Sequence, residues 1–106
     1  GGERDKDKRK PMGAIAHKYC NLVYVTDDNP RHENAAFIRK QIIQGCPGAI
    51  EVEDRSEAIT IAINKASFDD IVIIAGKGHE QVQVVKDNHF PFSDFEQAST
   101  AIELME

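Results

Sequence analysis

Apolar positions along the chain fall into two kinds of pattern, short unbroken runs and stripes at helical spacing, and polar turns separate them. Leu22-Val23-Tyr24-Val25 is continuous and β-rich, as expected of a strand buried on both faces of a parallel sheet. Ile71-Val72-Ile73-Ile74-Ala75 is the strongest run, apolar throughout, and reads as a central strand. Ile50-Glu51-Val52-Glu53 alternates, which predicts a strand with one wet face near the sheet edge. Between these runs lie helical stripes. Met12, Ile15, Ala16 and Tyr19 follow Pro11, and the helix they predict ends near Cys20-Asn21. Ala35, Ile38 and Ile42 mark a second helix, about Asn34 to Gln44, stopped by Gly45-Cys46-Pro47-Gly48. Ile59, Ala62, Ile63 and Ala66 mark a third, opened by Asp54 with Glu57 at capping-box spacing. Gln81 to Val85 and Phe90 to Phe92 flank Lys86-Asp87-Asn88-His89 as a short antiparallel hairpin. Ser93 with Glu96 opens a last helix striped by Phe95, Ala98, Ile102 and Met105. Strand, helix, strand, helix, strand with short connections is an α/β pattern with right-handed crossovers: a Rossmann-like, mostly parallel sheet flanked by helices, with an appended β-hairpin.

Composition narrows the function classes. At 106 residues, 41% hydrophobic and 29% charged, the chain suits one compact domain with a modest core. A formal net charge of -5 argues against a broad polyanion-binding surface, so nucleic acid is not an expected partner. Cys20 and Cys46 lie far apart and form no C-x-x-C, which suits a reducing compartment and predicts neither a zinc site nor a disulfide. No apolar run approaches membrane-spanning length and the first residues are polar, so a cytoplasmic protein without membrane contact is expected. Gly1 to Lys10 carries five cationic and three anionic side chains and nothing to bury, the composition of a solvated tail.

Candidate chemistry concentrates where the two strongest apolar runs end. Thr26-Asp27-Asp28-Asn29-Pro30-Arg31 leaves the first. Asp28 is an anionic acceptor, Asn29 donates and accepts, Pro30 fixes its own φ and pushes Asn29 toward an extended conformation, and Arg31 presents a planar fork for a carboxylate or phosphate. Gly76-Lys77-Gly78-His79-Glu80 leaves the second, so parallel strands deliver both turns to one rim, where open α/β sheets bind ligands. Glycines there admit close backbone approach, and Glu80 can hold an ammonium while Arg31 holds a carboxylate, a pair that matches an amino acid. The Gly-Lys-Gly lacks the spacing of a P-loop, which excludes an autonomous ATP site. His79, isolated in a turn, reads more readily as a hydrogen-bonded structural residue than as a base or ligand. Asp-Asn-Pro by itself is also a favoured turn sequence.

In order along the chain, Glu3-Arg4-Asp5-Lys6, Lys8-Arg9, Met12-Gly13, Thr26 to Arg31, Gly76 to Glu80 and Phe92-Ser93-Asp94 resemble the carboxy-terminal domain of the Mur ligases, most closely the diaminopimelate-adding MurE type. The resemblance spans essentially the whole chain. Glu3 and Asp7 depart from it, standing where the family usually has Asp and Gly. It implies that Arg4 and Arg31 hold the distal carboxylate of meso-diaminopimelate, with Asp28, Asn29, Gly76 and Glu80 around the distal amino-acid centre, and that Glu3, Asp5 and Lys6 approach the nucleotide. It also implies an ordered N-terminal loop in place of a tail, and a first sheet strand preceding Gly1-Gly2. In that family ATP with Mg activates the D-glutamyl carboxylate of UDP-MurNAc-L-Ala-D-Glu for amide formation in peptidoglycan synthesis, and other domains carry the P-loop, the magnesium ligands and the UDP-sugar site. Residues 1–106 are then the amino-acid-binding domain, expected to be inactive alone, with no catalytic or metal-binding residue of their own. The alternative is a free-standing Rossmann-like module that binds an amino acid or nucleotide without catalysis.

Overall fold

The computed structural model describes residues 1–77 and 80–105. A single 3-10 turn at Lys6–Lys8 leads into helix α1, Arg9–Tyr19. Strand β1, Tyr24–Val25, is followed by α2, Ala35–Gly45, β2, Ile50–Glu51, and α3, Arg55–Lys65. Strands β3, Val82–Val85, and β4, Asn88–Pro91, precede α4, Asp94–Met105. The result is a mixed α/β fold: a small parallel sheet, β1 with β2, flanked by helices, plus an antiparallel hairpin, β3 with β4, in a Rossmann-like arrangement.

Local chemistry sets the helix starts. The Asn34 side chain accepts from the Phe37 N–H at 3.0 Å, and Asp54 accepts from the Ser56 N–H at 3.1 Å, each satisfying a donor that a helix N-terminus leaves open. The Glu96 N–H donates to Ser93 Oγ at 3.3 Å, the bond expected of the Ser93 cap. Layers then form by pairs. Helix α1 packs on α2, α3 packs on α4, and β1 touches both α2 and α3. Gly13 and Gly45 bring the first pair together, since a Cβ on Gly13 would lie 2.0 Å from the Ile42 carbonyl oxygen and one on Gly45 2.1 Å from that of Lys10. Between α3 and α4, Ile59, Ile63 and Ala101 form a buried cluster against which Ile74, Phe92 and Ala98 pack.

The structure departs from the sequence pattern in four respects. Ile71 to Ala75 forms no ladder with the described residues and is not a strand: Ile74 packs on the α3–α4 cluster, while Ile71 and Ile73 are 87% and 77% exposed. A cleft of about 1150 Å³ separates this segment from Leu22 to Val25, so neither run has a neighbour on the side facing the other. Second, the hairpin turn is Lys86-Asp87 alone, and Asn88 and His89 belong to β4, paired with Val85 and Val84. Third, the large side chains of the α1 and α4 stripes are not buried. Ile15, Tyr19, Phe95 and Ile102 are exposed, whereas Gly13 and Ala101 are buried, because the helices meet their neighbours through small residues and the larger side chains line the cleft or face water. Fourth, the charged N-terminus is not the solvated tail its composition suggests but an ordered loop, as the family resemblance implies. Gly2 donates its N–H to the Asn29 carbonyl at 2.7 Å, and Arg9, 3% exposed, donates to Gly1 O at 3.0 Å, to both Glu33 oxygens and to Gln41 Oε1 at 2.6 Å. No helix among the described residues is long and apolar enough to cross a membrane.

Candidate functional site

At its polar end the cleft is lined by Arg4, Asp28, Asn29, Arg31, Gly76 and Glu80, the six residues singled out for amino-acid recognition. Sequence places Arg4 in the N-terminal segment and the other five on two turns separated by more than forty residues; the fold brings all three stretches together. The Asp28-to-Arg31 turn is more contorted than its proline suggests. Asn29 has φ 43° and Arg31 φ 55°, so Asn29 occupies the left-handed region and not the extended conformation predicted for a residue before proline. Asparagine tolerates that region better than other non-glycine residues, and the turn is held by contacts on every side. Arg31 donates its N–H to Val84 O at 3.1 Å and accepts from the Lys86 N–H at 2.6 Å, which docks the hairpin on the turn. The Val84 N–H donates to Asn29 Oδ1 at 2.9 Å. Gly2 lies so close beneath that a Cβ on it would come within 1.6 Å of the Pro30 carbonyl oxygen.

The recognition groups keep capacity for a ligand. Arg31 Nη1 donates to Gly2 O at 2.8 Å and Asn29 O at 3.2 Å, while Nε and Nη2 donate to none of the described residues, leaving one full edge of the fork for a carboxylate. Arg4 is exposed at the cleft, near the same fork. Glu80 donates its N–H to Lys77 O at 3.1 Å and accepts from Asn29 Nδ2 at 3.5 Å. Gly76, at φ 110°, leaves Asp28 Oδ2 only 2.9 Å from where a side chain would begin. Glu3, Asp5 and Lys6 stand apart from the cleft lining. The Glu3 N–H donates to Glu33, Asp5 accepts from the Asp7 N–H, and the Lys6 ammonium lies 3.9 Å from Glu33. Gly78 and His79 lie outside the described residues.

Three residues that organise the site were not legible as such. Lys77, read above only as a failed P-loop lysine, has a fully buried side chain whose ammonium donates to Asp28 Oδ1 at 2.9 Å and Asn29 Oδ1 at 2.8 Å. Arg55 donates to Asp94 through Nε at 2.8 Å and Nη2 at 2.7 Å, and also to Asp27 O at 3.2 Å and Ala75 O at 3.0 Å, so one buried guanidinium ties both turns to α4. Arg39 bridges Asp27 and Glu51; burial works against its charge, but the hydrogen bonds to Glu51 and Asp27 outweigh that and raise its pKa. A lone basic residue carries no local signal of such roles, because its partners lie 12 to 49 positions away.

Lys77 is committed to side chains, and the described residues hold no group of three or more His, Cys, Asp or Glu side chains able to bind a metal ion.

An α/β domain with paired cationic and anionic groups on two turns that follow apolar runs is the class that fold and site define. A family model described as Mur ligase, glutamate ligase domain, matches residues 1–78, and the chain belongs to that family. It is 48% identical over 106 residues to the UDP-N-acetylmuramoyl-L-alanyl-D-glutamate--2,6-diaminopimelate ligase of Agrobacterium fabrum, covering 100% of this chain and 22% of that protein. It is 52% identical over 98 residues to the ligase of the same name from Rickettsia typhi, covering 91% and 20%. A solved structure of a ligase with that name superposes with a TM-score of 0.91 at 38% identity, over 99% of this chain and 22% of the other. The chain thus spans about a fifth of the length of the curated relatives it matches.

Proposed function

We propose that residues 1–106 are the domain that binds meso-diaminopimelate in an ATP-dependent, amide-forming ligase of peptidoglycan synthesis. The observation that carries this reading is the gathering of Arg4 and Arg31 with Asp28 and Glu80 around the polar end of one cleft. Two cations and two carboxylates at such a site complement a ligand that carries a carboxylate and an ammonium on one carbon. Arg31 and Arg4 take the distal carboxylate, Glu80 and Asp28 the distal ammonium, and the Gly76 backbone lies close against the ligand. The opposite amine is thereby held for attack on an activated D-glutamyl carboxyl, and the contribution of this domain to rate is positioning.

ATP, Mg and the UDP-MurNAc-dipeptide belong, on this reading, to parts of the ligase outside residues 1–106, in keeping with the share of the relatives that the chain spans. Glu3, Asp5 and Lys6 are our candidates for contacts with the nucleotide held there. The cleft between Leu22 to Val25 and Ile71 to Ala75 supports a further reading, that a parallel strand contributed by sequence outside residues 1–106 lies between the two runs and completes the sheet.

Titration of the chain with meso-diaminopimelate and with 1,5-diaminopentane, followed by NMR, tests the assignment. The diamine keeps both ammonium groups of diaminopimelate at the same spacing but has no carboxylate. Resonances of Asn29, Arg31 and Glu80 are expected to move with meso-diaminopimelate at concentrations where the diamine leaves them unchanged. Equal responses to both compounds, or none, overturn the reading.

A further inference from the structure

Lys77 combines three properties that a merely solubilising or phosphate-binding lysine does not have. Its side chain is 0% exposed, its ammonium reaches across to the other turn, and the Phe92 ring lies 5.9 Å from Nζ on a further side. A desolvated ammonium is retained only where it is paired and hydrogen-bonded, and both of its bonds go to candidate recognition residues.

The consequences run through Asn29. An amide oxygen has two lone pairs, and Asn29 Oδ1 uses both, one for Lys77 Nζ and one for the Val84 N–H. With two donors on one side, the amide cannot flip, and its NH2 group faces the other way, toward Glu80 Oε1 at 3.5 Å. Lys77 also takes Oδ1 of Asp28, so Oδ2 is the oxygen set beside Gly76. One ammonium therefore orients an acceptor at Asp28, a donor at Asn29 and, through Asn29, the carboxylate of Glu80.

We propose that Lys77 is the positioning residue of the amino-acid site, a buried cationic post that locks the two turns into one recognition geometry without touching the ligand. The proposal rests on the reading of the site as a meso-diaminopimelate site. It differs from a general stabilising role in what its loss disturbs: the orientation of three polar groups, with the helices and their packing unchanged.

The test uses residues 1–106 with the nearly isosteric, uncharged substitution Lys77→Met, and reads two signals, the side-chain amide resonances of Asn29 and the affinity for meso-diaminopimelate. The Asn29 amide resonances are expected to shift or broaden while backbone resonances of α1 and α2 stay in place, and affinity is expected to fall at least about tenfold, the scale of one lost charge-assisted constraint. An Asn29 side chain indistinguishable from the parent, or an affinity within about twofold of it, overturns the proposal. Should Lys77→Met not fold, the parent chain decides. The Lys77 ammonium is expected to give a slowly exchanging 15N resonance that moves together with the Asn29 amide when meso-diaminopimelate is added, and a rapidly exchanging ammonium, or one that stays put while Asn29 moves, overturns it. A parent chain that binds no meso-diaminopimelate overturns the substrate assignment separately; the Asn29 signal in Lys77→Met, or the exchange rate of the Lys77 ammonium, then settles whether Lys77 orients the two turns.

Discussion

Arg31 is the residue whose chemistry and position agree most directly. Its guanidinium is fastened by Nη1 to two backbone carbonyls, and its Nε and Nη2 edge remains for a carboxylate. Charge-assisted bonds to such a group are worth about 1.5–3 kcal/mol each, so Arg31→Ala in the ligase containing this domain should raise the KM for diaminopimelate about ten- to a hundredfold and leave the KM for ATP nearly unchanged. Arg31→Lys should recover only part, since an ammonium does not reproduce the planar fork. Steady-state kinetics with each substrate varied in turn distinguish this from a solvated turn arginine, for which neither constant moves. The chemistry of Asp28, Asn29, Arg31 and Glu80 is readable from residue type and their place at the ends of apolar runs. The left-handed backbone at Asn29 is not: the preceding-proline rule points the other way, and contacts from Gly2, Lys77 and the hairpin prevail.

At the scale of elements, the junction between α3 and α4 depends on a buried ion pair that no periodicity discloses. Arg55 and Asp94 stand at the first positions of α3 and α4, with side chains 3% and 8% exposed, and Arg55 spends its remaining capacity on the carbonyls of Asp27 and Ala75. Removing one member of such a pair leaves the other charge buried alone. Arg55→Met is therefore expected to lower stability by about 3–5 kcal/mol, and the double substitution Arg55→Met with Asp94→Leu to recover much of that loss. Urea denaturation of the two variants and the parent checks it. The helices themselves were legible: starts at Asn34 and Asp54, the stop near Gly45 and the Ser93 cap all follow from side-chain chemistry that acts over three or four residues. Their buried faces were less so. In α1 the apolar stripe identified a helix but not its contact surface, and in α4 Ala98 of the stripe packs on the core while Phe95 and Ile102 do not, because Gly13 and Ala101 allow close approach where larger side chains would hold the helices apart.

For the molecule as a whole, the N-terminal segment and the cleft decide the behaviour. Glu33 accepts hydrogen bonds from Arg9 and from the Glu3 N–H, which together hold its carboxyl at about 2, below the ordinary 4.5. A depressed carboxyl contributes stability that is fully present above the ordinary value and is lost as pH falls through the folded one. Thermal midpoints should thus decline between pH 4.5 and 2 as the N-terminal loop loses its anchor, with a shallower decline in Glu33→Gln. Hydrogen exchange addresses the cleft. Amides of Ile71 to Ala75, which form no ladder among the described residues, should exchange quickly in residues 1–106 and become protected in a longer chain that supplies the intervening strand. The sequence by itself determined the α/β class, the helix boundaries and the two polar turns, because capping, spacing and apolar runs are local and each acts within a few neighbours. Only the tertiary structure decided which polar groups point where. It placed Lys77 beneath Asp28 and Asn29, carried Arg55 to both polar turns and folded the charged first residues onto Pro30, since those partners are distant in sequence and a single buried charge has no pattern until its counterpart is beside it.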